Sequence, residues 1–285
     1  MARAKRFQPT EFILPTSYYD KARADHAVAF IQSLKHTKGV WAGQPFLLFD
    51  WQEKIIRDLF GVVKENDYRQ FNTAFVEICK KAGKSELAAA VALYMLCADE
   101  EEGAEIYGCA NDRAQASIVF DVAKDMVLQS PALLKRIKIV ESQKRLVYTP
   151  TRSIYQALSS EVASKYGYNV HACIFDELLG QPNRKLFDVM TKGSGAARKQ
   201  PLNFVITTAG SDKNSICYEV HSKAVDILEG RKHDSTFYPV VYGAPTDADW
   251  TDPKVWHSVN PSLGKTVDQE FYRAACESAK QNPAE

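Results

Sequence analysis

The stretch that most constrains this chain is residues 71–90, FNTAFVEICKKAGKSELAAA. Residues 73–79 are apolar, aromatic and β-branched enough to predict a strand. Lys80-Lys81-Ala82 makes a short basic turn, Gly83-Lys84-Ser85 follows, and residues 86–98 are strong helix formers. Strand, glycine-lysine-serine, helix is the order that turns backbone N–H groups at a helix start toward an anion. There the Lys84 ammonium reaches terminal phosphate oxygens, and the Ser85 hydroxyl offers a ligand to Mg²⁺. The pattern is incomplete, because the first glycine of GxxxxGK[ST] falls at Ile78. A bare Gly-Lys-Ser also starts ordinary helices, with the lysine and serine solvated. The rest of the chain has to decide between the two.

Residues 1–20 are polar and carry Pro9 and Pro15, which predicts a loosely held arm. Residues 21–35 predict a helix with Ala22, Ala27, Phe30, Ile31 and Leu34 on one face. Asp50 is placed to cap a second helix ending at Gly61. Gln52 lies in its first turn, and its side-chain amide offers one donor face and one acceptor, enough to read an adenine edge. The plain alternative is a solvated helix residue.

After the phosphate-loop helix, the acidic run 99–102 reads as a solvated turn. Strands are expected at 104–110, 137–140, 145–148 and 153–158, with an amphipathic helix over 112–129. A buried strand at 172–175 ends in Asp176-Glu177. Another, within 201–210, ends in Thr207-Thr208. A helix over 214–229 and a strand over 236–242 come next. Strands alternating with helices predict an α/β fold, a mostly parallel sheet flanked by helices. An acidic pair at the end of a strand downstream of a phosphate loop suits nucleotide hydrolysis: Asp176 for the Mg²⁺ shell, Glu177 to polarise water. Thr207 and Thr208 either sense a terminal phosphate or are ordinary strand residues. Residues 247–264 are turn-rich, with Trp250 and Trp256 expected to pack on the domain. A last helix spans 267–281.

Composition narrows the setting. At 285 residues and 45% hydrophobic content the chain suits one large domain, or one with a small appendage. No apolar run is long enough to span a membrane, and the basic N-terminus lacks the apolar core of a signal peptide. The six cysteines form no CxxC pair and read as reduced thiols of an intracellular protein. A net charge of +1 neither requires nor excludes nucleic acid.

Taken in order, WQEKII, EICKKAGKSELAA, YGCANDRAQASIVF, HACIFDEL, VITTAGSD and WHSVNPSLG together resemble the ATPase part of the large terminase subunit of tailed bacteriophages. The resemblance runs from about Phe30 onward. It implies a P-loop NTPase fold of the ASCE type, in which an extra strand separates Walker A from Walker B; the strand at 104–110 fits that place. It implies ATP and Mg²⁺ as ligands. Lys80, Lys81, Ala82, Gly83, Lys84 and Ser85 then form the Walker-A loop, with Ser85 and Asp176 toward the metal. Catalytic roles fall to Glu177, Lys84 and Lys80. Thr207 and Thr208 match the coupling motif, and Gln52 the adenine-recognition glutamine.

The implied organisation is an arm and helix over 1–50, an ATPase core over 51–245 and a C-terminal segment over 246–285. The implied function is a motor that drives double-stranded viral DNA into a procapsid in the host cell cytoplasm. Its partners would be a portal protein, a small terminase subunit and further copies in a ring, with no membrane. Family members continue into a nuclease domain; no DNA cleavage is expected of this polypeptide. Two departures stand out. Lys80 occupies a position where many members carry arginine, and lysine lacks the bidentate fork. Lys165-Tyr166 precede Gly167 where an arginine is usual, leaving Arg152 and Arg198 as candidates for the arginine finger. Lys135-Arg136-Lys138, Lys144-Arg145 and Arg198-Lys199 are candidate phosphate contacts. A helicase or other DNA-dependent ATPase, or a nucleotide-binding assembly module without catalysis, are the competing readings.

Overall fold

A computed structural model describes residues 7–159, 167–192 and 198–282. In chain order it forms β1 (Ser17–Tyr19), α1 (Lys21–Gln32), α2 (Asp50–Gly61), β2 (Val62–Lys64), β3 (Thr73–Glu77) and α3 (Lys84–Cys97). Then come β4 (Glu105–Ala110), α4 (Arg113–Leu128), α5 (Pro131–Leu134), β5 (Ile137–Val140), β6 (Arg145–Tyr148), β7 (Ser153–Ser159) and β8 (Val170–Asp176). The chain closes with α6 (Lys185–Lys192), β9 (Leu202–Thr207), α7 (Ile216–Leu228), β10 (Phe237–Val241), α8 (Pro253–Val259) and α9 (Gln269–Gln281).

Eight strands form one sheet in the order β10-β3-β9-β8-β4-β7-β6-β5. The run from β10 to β7 is parallel, and β6 and β5 add an antiparallel edge. Both faces of the central strands are covered, so alternate residues enter different cores. Ala74 and Val76 face one core and Phe75 the other. Ile174 opposes Cys173 and Phe175 in the same way, and Phe204 and Ile206 oppose Val205. The first core takes α1 to α4; the second takes α6 and α7. Beyond its first turn, helix α3 is apolar all round, as a helix enclosed on every side must be. Among the described residues no helix is long and apolar enough to cross a membrane.

The predicted α/β architecture holds, and three expectations are corrected. In the chain, 104–110 does lie between the two Walker segments. In the sheet, however, the strand that separates β3 from β8 is β9, while β4 lies beyond β8. The described part of the N-terminal arm is fastened rather than loose. Its β1 pairs with β2, and Thr10 N donates to Asp58 Oδ1 at 3.0 Å. Gln70 spans the arm, accepting from Leu14 N at 3.0 Å and donating to Phe12 O at 2.8 Å. The acidic run 99–102 is not simply a solvated turn. Asp99 is buried and pairs with Arg69, while its Oδ2 meets His171 Nε2 at 2.7 Å. Glu101 pairs with Arg198 at 3.0 Å. These partners arrive from distant segments, so no local charge count reveals them.

Candidate active site

The parallel register brings three strand ends side by side. Glu77 of β3 lies opposite Thr207 of β9, and Asp176 of β8 opposite Ile206. The C-terminal rim of a parallel sheet, where neighbouring strands lead to opposite sides, is where such folds place a ligand.

Residues 78–83 form the loop from β3 to α3. Ile78, standing where the pattern expects glycine, continues the strand: its N–H donates to Thr207 O at 3.0 Å and its side chain is buried. The left-handed positions of this loop are Lys81 (φ 66°) and Gly83 (φ 89°). The missing glycine therefore falls where an extended backbone needs none. Gly83 caps α3, so the first amides of that helix are left for an anion.

Lys84 is buried, and its ammonium lies 3.0 Å from Glu177 Oε1 and within 3.4 Å of the Ile78 and Cys79 carbonyls. Glu177 itself sits in the left-handed region at φ 62°, a strained geometry for a side-chain-bearing residue. Its Oε2 accepts from Thr208 N at 3.0 Å and from Thr208 Oγ1 at 2.9 Å. Burial pushes the Glu177 carboxyl up. Lys84 and the Thr208 hydrogen bonds outweigh that, so the net shift is downward and the group is ionised at neutral pH.

Ser85 Oγ donates to Asp176 Oδ2 at 2.6 Å. Burial pushes the Asp176 carboxyl up to about 6, against the Ser85 hydrogen bond, and the neighbouring Glu177 adds to the rise. Its second oxygen, Oδ1, is buried with no hydrogen-bond partner. A buried carboxylate oxygen left without a donor, beside a serine hydroxyl, fits a hard divalent cation that takes oxygen ligands. Ser85 and Asp176 therefore fit Mg²⁺.

A cleft of about 650 Å³ opens over this group. Lys80, Lys81, Gly83, Lys84, Ser85 and Glu177 line it, together with Trp41, Phe46, Phe49 and Gln52. Gln52 is buried; its Oε1 accepts from Phe49 N at 3.0 Å, while its Nε2 lies against Gly83. Asp50 opens the helix rather than capping it, Phe49 being the cap position. Lys80 and Lys81 are on the rim, both exposed. Ala82 is fully buried and contributes backbone only.

Thr207 lies outside the lining. Its hydroxyl donates to Thr208 O at 3.0 Å and accepts from Leu179 N at 3.2 Å, so it braces the strand end. Neither arginine candidate is at the cleft. Arg152 immediately precedes β7, toward the opposite edge of the sheet. Arg198 is held away from the cleft by Glu101, Gly103 O and Asn169 O. Lys165 and Tyr166 lie outside the described residues. Lys144 pairs with Asp121 and Arg145 with Gln156, so those proposed phosphate contacts are already engaged.

One further contact joins segments that the sequence does not connect. Glu86 accepts from Thr37 N at 2.9 Å and Thr37 Oγ1 at 3.0 Å, and pairs with His36. It ties the segment carrying Trp41 to the first turn of α3.

The chain matches known proteins in both sequence and fold. The family described as the ATPase domain of the terminase large subunit matches residues 50–225. The terminase large subunit of Enterobacteria phage HK97 is 30% identical over 267 residues, covering 92% of this chain and 51% of that protein. YmfN of Escherichia coli K12 is 33% identical over 116 residues, 41% of this chain and 25% of its own length. The crystal structure of the HK97 large terminase superposes with a TM-score of 0.79 at 28% identity, over 92% of this chain and 52% of that one. The chain thus spans about half the length of the HK97 protein. With a P-loop sheet of matching fold and a family match over most of its core, the chain belongs to the terminase large-subunit ATPase-domain family.

Proposed function

We propose that this chain is an ATP-hydrolysing motor domain that powers movement of double-stranded viral DNA into a procapsid in the host cytoplasm. The observation that carries the reading is the Lys84–Glu177 pair at 3.0 Å beside the Ser85–Asp176 contact at 2.6 Å. An incoming triphosphate is a stronger partner for the Lys84 ammonium than one carboxylate. Transfer of Lys84 to the phosphates leaves Glu177, still held by Thr208, to orient a water and accept its proton. Mg²⁺ held at Ser85 and Asp176 would neutralise charge on the β- and γ-phosphates. Gln52 and the aromatic wall serve the base, and Thr207 holds the β9 end on which Thr208 sits.

The described lining of the cleft holds no arginine. The cation that completes it comes from Lys80 or Lys81 on the rim, or from a neighbouring copy in a ring on the portal protein. The small terminase subunit and viral DNA complete the expected set of partners.

The test is phosphate release with and without double-stranded DNA, run beside unwinding of a forked duplex. Turnover stimulated several-fold by duplex DNA, with the fork intact, is the expected result. Unwinding would favour a helicase. No turnover, even with DNA and portal protein present, would favour a non-catalytic module.

A further inference from the structure

We infer that the C-terminal segment is part of the phosphate-loop machinery, with Ser262 as its positioning residue. The family match ends at residue 225, so it assigns nothing to this segment. Among the described residues there, two polar side chains are fully buried, Asn260 and Ser262, and neither serves the chemistry described above. Polar groups are enclosed in this way only when each finds a partner. Their partners are the phosphate loop, the helix before it and the last helix of the chain.

Ser262 Oγ accepts from Trp51 Nε1 at 2.8 Å and donates to Ala82 O at 3.3 Å. Asn260 Oδ1 accepts from Ser262 N at 3.0 Å, and Asn260 Nδ2 donates to the Tyr272 hydroxyl at 3.2 Å. That hydroxyl in turn lies 3.7 Å from Cys79 Sγ as a donor. The relay therefore grips the loop at both ends, Cys79 and Ala82. Thr266, a few residues on, lines the cleft, and the Lys265 ammonium sits 4.9 Å from the centre of the Phe49 ring.

The contact at Ala82 has a geometric consequence. The peptide joining Ala82 to Gly83 is trans, as every described peptide is, so its C=O and N–H point in opposite directions. Drawing the Ala82 carbonyl back to Ser262 turns the Gly83 N–H away from Ser262. It is thereby set as an anion donor before any ligand arrives, which is how preorganisation raises affinity. Trp51, joined to the same hydroxyl, is adjacent to Gln52, so one serine sets both the phosphate loop and the start of the helix bearing the base contact.

The link to ATP rests on the function proposed above; the hold on the loop does not. Two readouts keep them apart. Hydrogen exchange of residues 78–84 is compared in the wild type, Ser262→Ala and Arg69→Met, and kcat and KM for ATP are then measured on each. Arg69 forms a buried pair with Asp99 and precedes β3, at the strand end away from the loop. Ser262→Ala is expected to speed loop exchange at least tenfold with β5 and β6 unchanged, and to raise KM about tenfold with kcat within twofold. Arg69→Met lowers thermal stability and leaves loop exchange and KM within twofold. Should Ser262→Ala not fold, Tyr272→Phe removes only a half-buried hydroxyl and is expected to speed exchange at 78–80. Loop exchange unchanged in the serine or tyrosine variant, or raised equally by Arg69→Met, would overturn the inference. Faster loop exchange with an unaltered KM would leave the hold on the loop standing and count against the cleft as the ATP site.

Discussion

Replacing Glu177 by Gln is expected to lower ATP turnover about 10³-fold while ATP binding is kept, as loss of a general base does. The substitution is nearly isosteric. The amide oxygen still accepts from Thr208 N and Oγ1, so the β8–β9 ends stay joined. The left-handed backbone at φ 62° is no worse for Gln than for Glu. What is lost is the proton acceptor and the charge that holds Lys84 at 3.0 Å. Lys84 then has only the Ile78 and Cys79 carbonyls as competitors for phosphate, so affinity for ATP should hold or rise. Steady-state phosphate release and equilibrium ATP binding, measured on one preparation, give both numbers. Turnover within tenfold of wild type would remove Glu177 from its assigned role.

Arg69→Met is expected to cost about 3–5 kcal/mol of stability, the range for breaking a buried ion pair on one side. Arg69 is 4% exposed and Asp99 6%. The guanidinium pairs with Asp99, donates to Gln200 O through Nε at 2.9 Å and Nη2 at 2.7 Å, and lies over the Phe60 ring. Methionine keeps the stem and removes all of these donors. Asp99 is then left in the interior with His171, itself fully buried with Nδ1 unpartnered. For a domain of this size the melting temperature should fall on the order of 10 °C. Arg231→Ala, which breaks an exposed cluster with Asp226, should leave the melting temperature nearly unchanged, because solvent screens such a pair. Calorimetric melts of the two variants decide it. A melting point for Arg69→Met within a degree of wild type would mean the network carries no stability.

The grouping of the candidate site is legible in the sequence because its residues stand at strand ends. Gly83-Lys84-Ser85, Asp176-Glu177 and Thr207-Thr208 each stand at the end of a buried apolar run, and parallel pairing brings the ends of such runs to one rim of the sheet. The element order was readable for the same reason, since α3 and β8 are too apolar to lie anywhere but the interior. Distance in the chain hid the rest. Nothing near Asp99 announces Arg69 or His171, so the residue looked like part of a solvated acidic turn. Ser262 sits in an Asn-Pro-Ser turn whose sequence says only that the chain bends; its partners Trp51 and Ala82 lie far upstream. Arg198 offered the charge expected of a finger, but the fold commits it to carbonyls away from the cleft.

In the proposed function, the cleft over Gly83 and Ser85 binds ATP by its phosphates. The direct measurement is equilibrium binding of ATP, with Mg²⁺, to the wild type and to Lys84→Ala. The alanine variant loses the buried ammonium and exposes an incoming triphosphate to two unopposed carboxylates, Asp176 and Glu177. With charge-assisted contacts worth about 1.5–3 kcal/mol each, affinity should fall about 100-fold while the circular dichroism spectrum is unchanged. ATP bound within threefold of wild-type affinity by a folded Lys84→Ala protein would mean that Lys84 does not hold its phosphates in this cleft.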